Sequence, residues 1–135
     1  MVRQFLFILP FVGLCSTLSA QPPHANPSWS VNFNSAKAEA SAQRKKIFLY
    51  FSGSDWCKPC IRLRETQINS EAFDRFAGGS LVLLQADFPR LRKNQLSKER
   101  QAENETLAEK YNPEGAFPLI VIITPDGIVL GKNNS

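Results

Sequence analysis

The apolar run Ile47-Phe48-Leu49-Tyr50-Phe51 passes through a short polar turn, Ser52-Gly53-Ser54-Asp55, directly into Trp56-Cys57-Lys58-Pro59-Cys60. The run does not alternate between apolar and polar residues, so it reads as a strand covered on both faces. Pro59 fits the first turn of a helix, where the leading amide hydrogens have no intrahelical partner in any case. The segment therefore predicts a buried strand that hands over to a helix running from Cys57 to about Gln67. At that junction two thiols at i and i+3 are close enough to close a small disulfide ring, and the helix N-terminus favours the thiolate of the first. Cys57 is accordingly the expected nucleophile and Cys60 its resolving partner, pairing as Cys57–Cys60.

The start of the chain bears on the compartment. Residues 1–20 carry one early positive charge, Arg3, then an apolar stretch from Phe5 to Leu14, then the small residues Ser16, Thr17, Ser19 and Ala20. This reads as a secretory signal, too short for a spanning helix and cleaved after Ala20, with an uncleaved membrane anchor as the alternative. Residues 21–30, with Pro22, Pro23 and Pro27, read as an extended leader that contains His24. Residues 31–135 then form the folded unit, and the 135-residue chain without its signal has the size of a single domain. Cys15 leaves with the signal, so Cys57 and Cys60 are the only thiols expected in the mature chain. The expected location is outside the cytoplasm.

Other uses of the cysteines fit poorly. A bond across two intervening residues closes almost no loop and removes little unfolded-state entropy, so it is a weak staple. Structural zinc wants four ligands, whereas the mature chain offers two cysteines and the distant His24. Haem attachment needs a histidine after the second cysteine, where this chain has Ile61. No metal and no cofactor are therefore expected. Net charge is +4, and the cluster Arg90, Arg92, Lys93, Lys98 and Arg100 lacks interleaved aromatics, so it reads as a solvated loop and helix face and not as a nucleic-acid surface.

The remaining elements follow from pattern. Alanines at 36, 38, 40 and 42 among Lys and Glu predict a helix from about Asn34 to Lys46. Ser70 to Phe76 predicts a short helix capped by Asn69 or Ser70, stopped by Gly78-Gly79, with Phe73 and Phe76 facing the core. Leu81 to Phe88 reads as a strand. A polar helix from Ser97 to Tyr111 has its buried stripe at Leu107, Ala108 and Tyr111. Leu119 to Ile123, the Pro125-Asp126-Gly127 turn and Ile128 to Leu130 read as a hairpin. The fold class is α/β, a central mixed β-sheet flanked by helices.

Taken together, a strand, Trp-Cys-x-Pro-Cys at a helix start, a second strand, a Tyr-ended helix, Gly115-Ala116-Phe117-Pro118 before a strand and a Pro-Asp-Gly turn resemble the thioredoxin-like family. The resemblance runs from about Ser28 to Lys132 and is nearest to exported bacterial members. It implies that Cys57 is the exposed nucleophile, Cys60 the buried resolving thiol, and Pro118 a cis-proline facing them. It also implies that the backbone of Phe117 pairs with bound peptide and that Trp56 shields the disulfide. The family's buried acid on the first strand is replaced by Tyr50 or Phe51, so proton transfer needs water or another group. Lys58, beside Pro59 between the cysteines, favours the Cys57 thiolate, and Asp55 opposes it. The family continues into a last helix after the hairpin. The fold expected here has that terminal helix missing, the chain being a fragment or a fold short by one element.

The resemblance implies a thiol–disulfide oxidoreductase. Its partners would be exported proteins with thiols or disulfides, plus a redox partner that recycles the pair. No nucleic acid is expected, and the membrane is touched only through an uncleaved signal. The alternative is a non-catalytic binding module, or an electron carrier dedicated to one partner protein.

Overall fold

A computed structural model describes residues 27–30 and 32–134. The expected signal at residues 1–20, Cys15, His24 and most of the leader lie outside the described residues. The elements in chain order are β1 (Trp29–Ser30), α1 (Phe33–Gln43), β2 (Lys46–Ser52), α2 (Lys58–Leu63), α3 (Glu71–Ser80), β3 (Leu81–Asp87), α4 (Lys98–Tyr111), β4 (Leu119–Ile123) and β5 (Val129–Asn133). A wider, π-helical turn, Arg64–Ile68, continues α2, and a single 3-10 turn, Arg92–Asn94, precedes α4.

The sheet has the order β1-β3-β2-β4-β5. Strands β1, β3 and β2 run parallel, and β4 and β5 run antiparallel to their neighbours. This is the α/β mixed sheet expected from the sequence. Beyond Lys46, every residue of the central strand β2 is buried. Strand side chains alternate between faces, so Ile47, Leu49 and Phe51 join Ala36 and Ala40 of α1 and Leu107 and Tyr111 of α4 on one side. Phe48 and Tyr50 join Cys57, Cys60, Leu63 and Ala77 on the other. The redox helix α2 and α3 thus cover one face, and α1 and α4 cover the other.

Local sequence explains most boundaries. Asn32 caps α1 by accepting from the Ser35 N–H, and Ser70 caps α3 by accepting from Phe73. Of the four alanines, only Ala36 and Ala40 reach the core, one turn apart on the buried side of α1. The stripe at Leu107, Ala108 and Tyr111 packs as expected.

Four expectations need correction. Gly78-Gly79 does not stop α3, which runs on to Ser80 and enters β3 without a loop. There Lys45 donates to the Gly78 carbonyl at 2.7 Å, and Ala77 is fully buried, so tertiary contacts override the glycine signal. Phe73 packs edge-on against Phe48 at 5.3 Å, but Phe76 is 63% exposed, having rotated off the buried side of the longer helix. Trp29–Ser30, read as leader, pairs with Leu83 and Leu84 as the edge strand β1. A two-residue strand has no pattern to read. The hairpin also starts one residue late, with Ile128 in its turn.

The hairpin turn is fastened to α4. Tyr111 Oη donates to the Gly127 carbonyl at 3.1 Å, and Lys132 Nζ donates to the Tyr111 carbonyl at 2.6 Å. Gly127 has φ 87°, and a Cβ there would meet the Tyr111 hydroxyl. Gly127→Ala should therefore destabilise the fold by about 1–2 kcal/mol for the left-handed backbone alone. A urea unfolding midpoint equal to that of the unmodified protein would contradict this.

Candidate active site

The site grows out of the end of β2. Cys57 N–H and Trp56 N–H both donate to the Gly53 carbonyl, at 2.9 and 3.3 Å, closing a tight turn. Cys57 is the cap residue of α2, and its Sγ accepts from the Cys60 N–H at 3.3 Å. The chain thus places the first sulfur against a free amide of the helix start, the arrangement that stabilises a thiolate. Pro59 lies in the first turn, where its missing N–H is harmless. Cys57 and Cys60 are joined as a disulfide, with S–S 2.11 Å and Cα–Cα 5.2 Å. Both are buried: Cys57 is 4% exposed and Cys60 1%, so the thiol expected to be exposed presents only a sliver of surface.

Trp56 packs against the buried cluster that contains both cysteines. Its Nε1–H donates to the Phe88 carbonyl at 2.7 Å, and Phe117 meets its ring edge-on at 5.6 Å. The Arg90 guanidinium stacks 3.7 Å from the ring centroid. The ring lies directly over Gly53, where any Cβ would overlap the indole. Sequence reading singled out Trp56 but not the glycine that makes room for it. Its signal was present as a Gly three residues before an aromatic in a tight turn.

Two carboxylates hold the turn, each through several donors. Asp87, at the end of β3, accepts from Ser52 Oγ at 3.0 Å, from the Ser54 N–H at 2.9 Å and from Ser54 Oγ. Gln85 donates to Ser52 Oγ at 2.6 Å and accepts from Arg64, extending this polar chain behind the redox helix. Asp55 accepts from the Arg90 and Leu91 N–H groups, both at 2.9 Å, and from Asn94 Nδ2 at 3.0 Å. The Asp55 carboxylate, expected to oppose the Cys57 thiolate, is thus turned to the 90–94 loop. The Arg90 backbone N–H, with Asn94 and Leu91, holds its pKa below the ordinary 3.8.

Tyr50, and not Phe51, faces the redox side. Fully buried, its hydroxyl donates to the Cys60 carbonyl at 2.9 Å, and burial raises its pKa. Where the resemblance led one to expect an acid, this chain has a neutral donor that fixes the first turn of α2.

The Phe117–Pro118 peptide is cis. Pro118 is buried and lines a groove of about 360 Å3 with Lys58, Pro59, Arg62 and Leu63. On the other side, Phe117 lines a groove of about 290 Å3 with Trp56, Phe88 and Arg90. Asn112, which sequence reading missed, closes the loop before them: its side chain accepts from the Ala116 N–H and donates to the Ala116 carbonyl, both at 2.9 Å. Cys57, Cys60, Trp56, Lys58, Pro59, Phe117 and Pro118 therefore converge at one end of the sheet. Among the described residues no group of three or more His, Cys, Asp or Glu could hold a metal ion.

Comparisons with known proteins agree with this geometry. Residues 28–125 match the family described as thioredoxin-like. The chain is similar to the disulfide bond reductase DsbH of Chlamydia pneumoniae, 34% identical over 108 residues that cover 80% of this chain, and it spans 63% of that relative's length. A solved DsbH oxidoreductase superposes with a TM-score of 0.74 at 32% identity, covering 87% of this chain and 80% of that one. A thioredoxin from Thermus thermophilus gives 0.58 at 18% identity, covering 81% and 75% of the two chains, a likeness of fold.

The Asp55 clamp has a pH signature. A carboxylate whose folded pKa is depressed contributes stability in full above its unfolded pKa and loses it as pH falls through the folded one. The melting-temperature difference between the unmodified protein and Asp55→Ala should hold steady from pH 7 to about pH 5 and vanish in stronger acid. At neutral pH, Asp55→Ala should speed hydrogen exchange at the Arg90 and Leu91 amides by about an order of magnitude. Unchanged exchange at both amides would contradict the clamp.

Proposed function

The chain belongs to the thioredoxin-like family, and from that premise we propose that it is an exported reductase of protein disulfides. The observation that carries this reading is the placement of Cys57 Sγ at the Cys60 amide, joined to Cys60, with Phe117 packed against the cluster that holds both cysteines and Pro118 lining a groove with the neighbouring Lys58 and Pro59. The DsbH relatives supply the direction of electron flow, since one is named a disulfide bond reductase.

In the reduced protein, the Cys57 thiolate attacks one sulfur of a substrate disulfide. A protein–substrate S–S bond forms, the substrate S–S bond breaks, and one substrate thiolate leaves and takes up a proton. Cys60, deprotonated, then attacks Cys57 Sγ. The Cys57–Cys60 bond forms, the second substrate thiolate leaves, and two electrons have passed to the substrate. A dithiol partner repeats the exchange in reverse to restore the pair. The Cys60 N–H stabilises the attacking thiolate, and the Tyr50 bond to the Cys60 carbonyl keeps the second thiol within reach of the first. Lys58, exposed beside Cys57, adds positive potential. Trp56 covers the disulfide once formed, and Phe117 offers backbone to a substrate strand. Arg3 and the apolar stretch Phe5 to Leu14 support export to a periplasm, where such substrates occur.

The residues 21–135 form should accelerate dithiothreitol-driven reduction of insulin, and Cys57→Ser should return the rate to the uncatalysed level. With Cys60→Ser the mixed disulfide on Cys57 has no internal escape and should accumulate as a covalent adduct visible by mass spectrometry. Equal insulin reduction by the unmodified protein and Cys57→Ser would refute the reductase reading and favour a non-catalytic binding module.

A further inference from the structure

The two grooves that meet at Phe117–Pro118 are both flanked by positive charge. Exposed Lys58 and Arg62 line the one beside Pro118, one helical turn apart on α2. Arg90 lines the other, and its backbone is clamped by Asp55 while its guanidinium rests on Trp56. Among the described residues none of these three is in an ion pair; the pairs formed are Arg75–Glu71 and Arg100–Glu103. The carboxylates lining either groove are Asp87, whose oxygens are taken up by Ser52 and Ser54, and Glu105 at the rim. Asp55, the other acid nearby, faces the loop. The positive charges at the site are thus left without internal partners, and Arg90 is held in place by stacking and by its clamped backbone.

The reductase reading supplies a substrate strand lying along Phe117–Pro118, and this inference rests on that reading. Residues on either side of the substrate cysteine would then fall into the two grooves. We propose that the site selects disulfides whose cysteines are flanked by acidic residues, with Arg90 meeting a carboxylate on one side of Cys57 and Lys58 with Arg62 meeting one on the other. Such complementarity acts chiefly on encounter and on rejection of basic sequences. It differs from the sequence expectation for Arg90, which was a solvated loop residue.

Three peptide disulfides, identical except for Glu, Ser or Lys on both sides of the cysteine, separate the possibilities. Each rate is normalised to its reduction by dithiothreitol alone, which removes the effect of flanking charge on the disulfide itself. At low ionic strength kcat/KM for the Glu peptide should exceed that for the Lys peptide by about tenfold, with the Ser peptide between them. The ratio should shrink toward one in about 1 M salt, where screening acts within a few ångströms. Arg62→Glu combined with Arg90→Glu should bring the ratio below one. Equal turnover of the three peptides, or a ratio indifferent to salt, would overturn the selectivity and leave the reductase reading standing. Turnover of none of them would overturn both.

Discussion

The double-sided burial of β2 is the constraint on which the rest of the molecule depends. Because no position after Lys46 on this strand faces water, its alternation must divide the chain between two packing layers. Ile47, Leu49 and Phe51 anchor α1 and α4, while Phe48, Tyr50 and Ser52 face the redox side. A slip of one residue would exchange Tyr50 with Phe51. The phenol would then sit in an apolar layer, and the Cys60 carbonyl would lose its donor. The same parity brings Ser52 beside Gln85 and Asp87, so the strand that builds the core also sets the polar chain that steers the turn beyond it.

That turn is rigid for a reason distinct from core packing. Asp87 pulls Ser52 and Ser54 toward β3, and Asp55 pulls the 90–94 loop toward the turn. The two carboxylates are thereby committed to backbone, hydroxyl and side-chain amide donors, in hydrogen bonds that the carboxylate charge strengthens. Trp56, seated over Gly53 and bonded to the Phe88 carbonyl, locks the intervening residues. The disulfide therefore sits on a frame made of side chains from β2, β3 and the loop after β3.

The redox pair and the fold class were legible because they are written in contiguous residues: an unalternating apolar run, a turn, and two cysteines around a proline. Pro118 was legible through resemblance alone, since nothing in its neighbours predicts that it will lie beside α2. The parts that were not legible are those fixed between distant segments. Asp55 and Asp87 look like ordinary turn and strand-end acids until the loop from 88 to 95 is folded against them. Gly78-Gly79 carries a stop signal that the fixed junction with β3 overrides, and the longer helix then carries Phe76 out to solvent. Asn112 reads as a residue after a helix, yet its side chain shapes the approach to Phe117.

The pairing of β2 with β4 joins parts of the site that are far apart in the chain. Both sulfurs lie within one turn of chain and can find each other in a nascent polypeptide, since closing so short a loop needs no tertiary structure. Phe117–Pro118 arrives only when β4 docks antiparallel on β2, with Phe51 opposite Leu119. The surface proposed to choose among disulfides therefore depends on a long-range contact that the pairing of the two sulfurs does not need. Reactivity is thus encoded locally, whereas the surface proposed to choose among substrates is encoded non-locally, in the pairing of segments far apart in the chain.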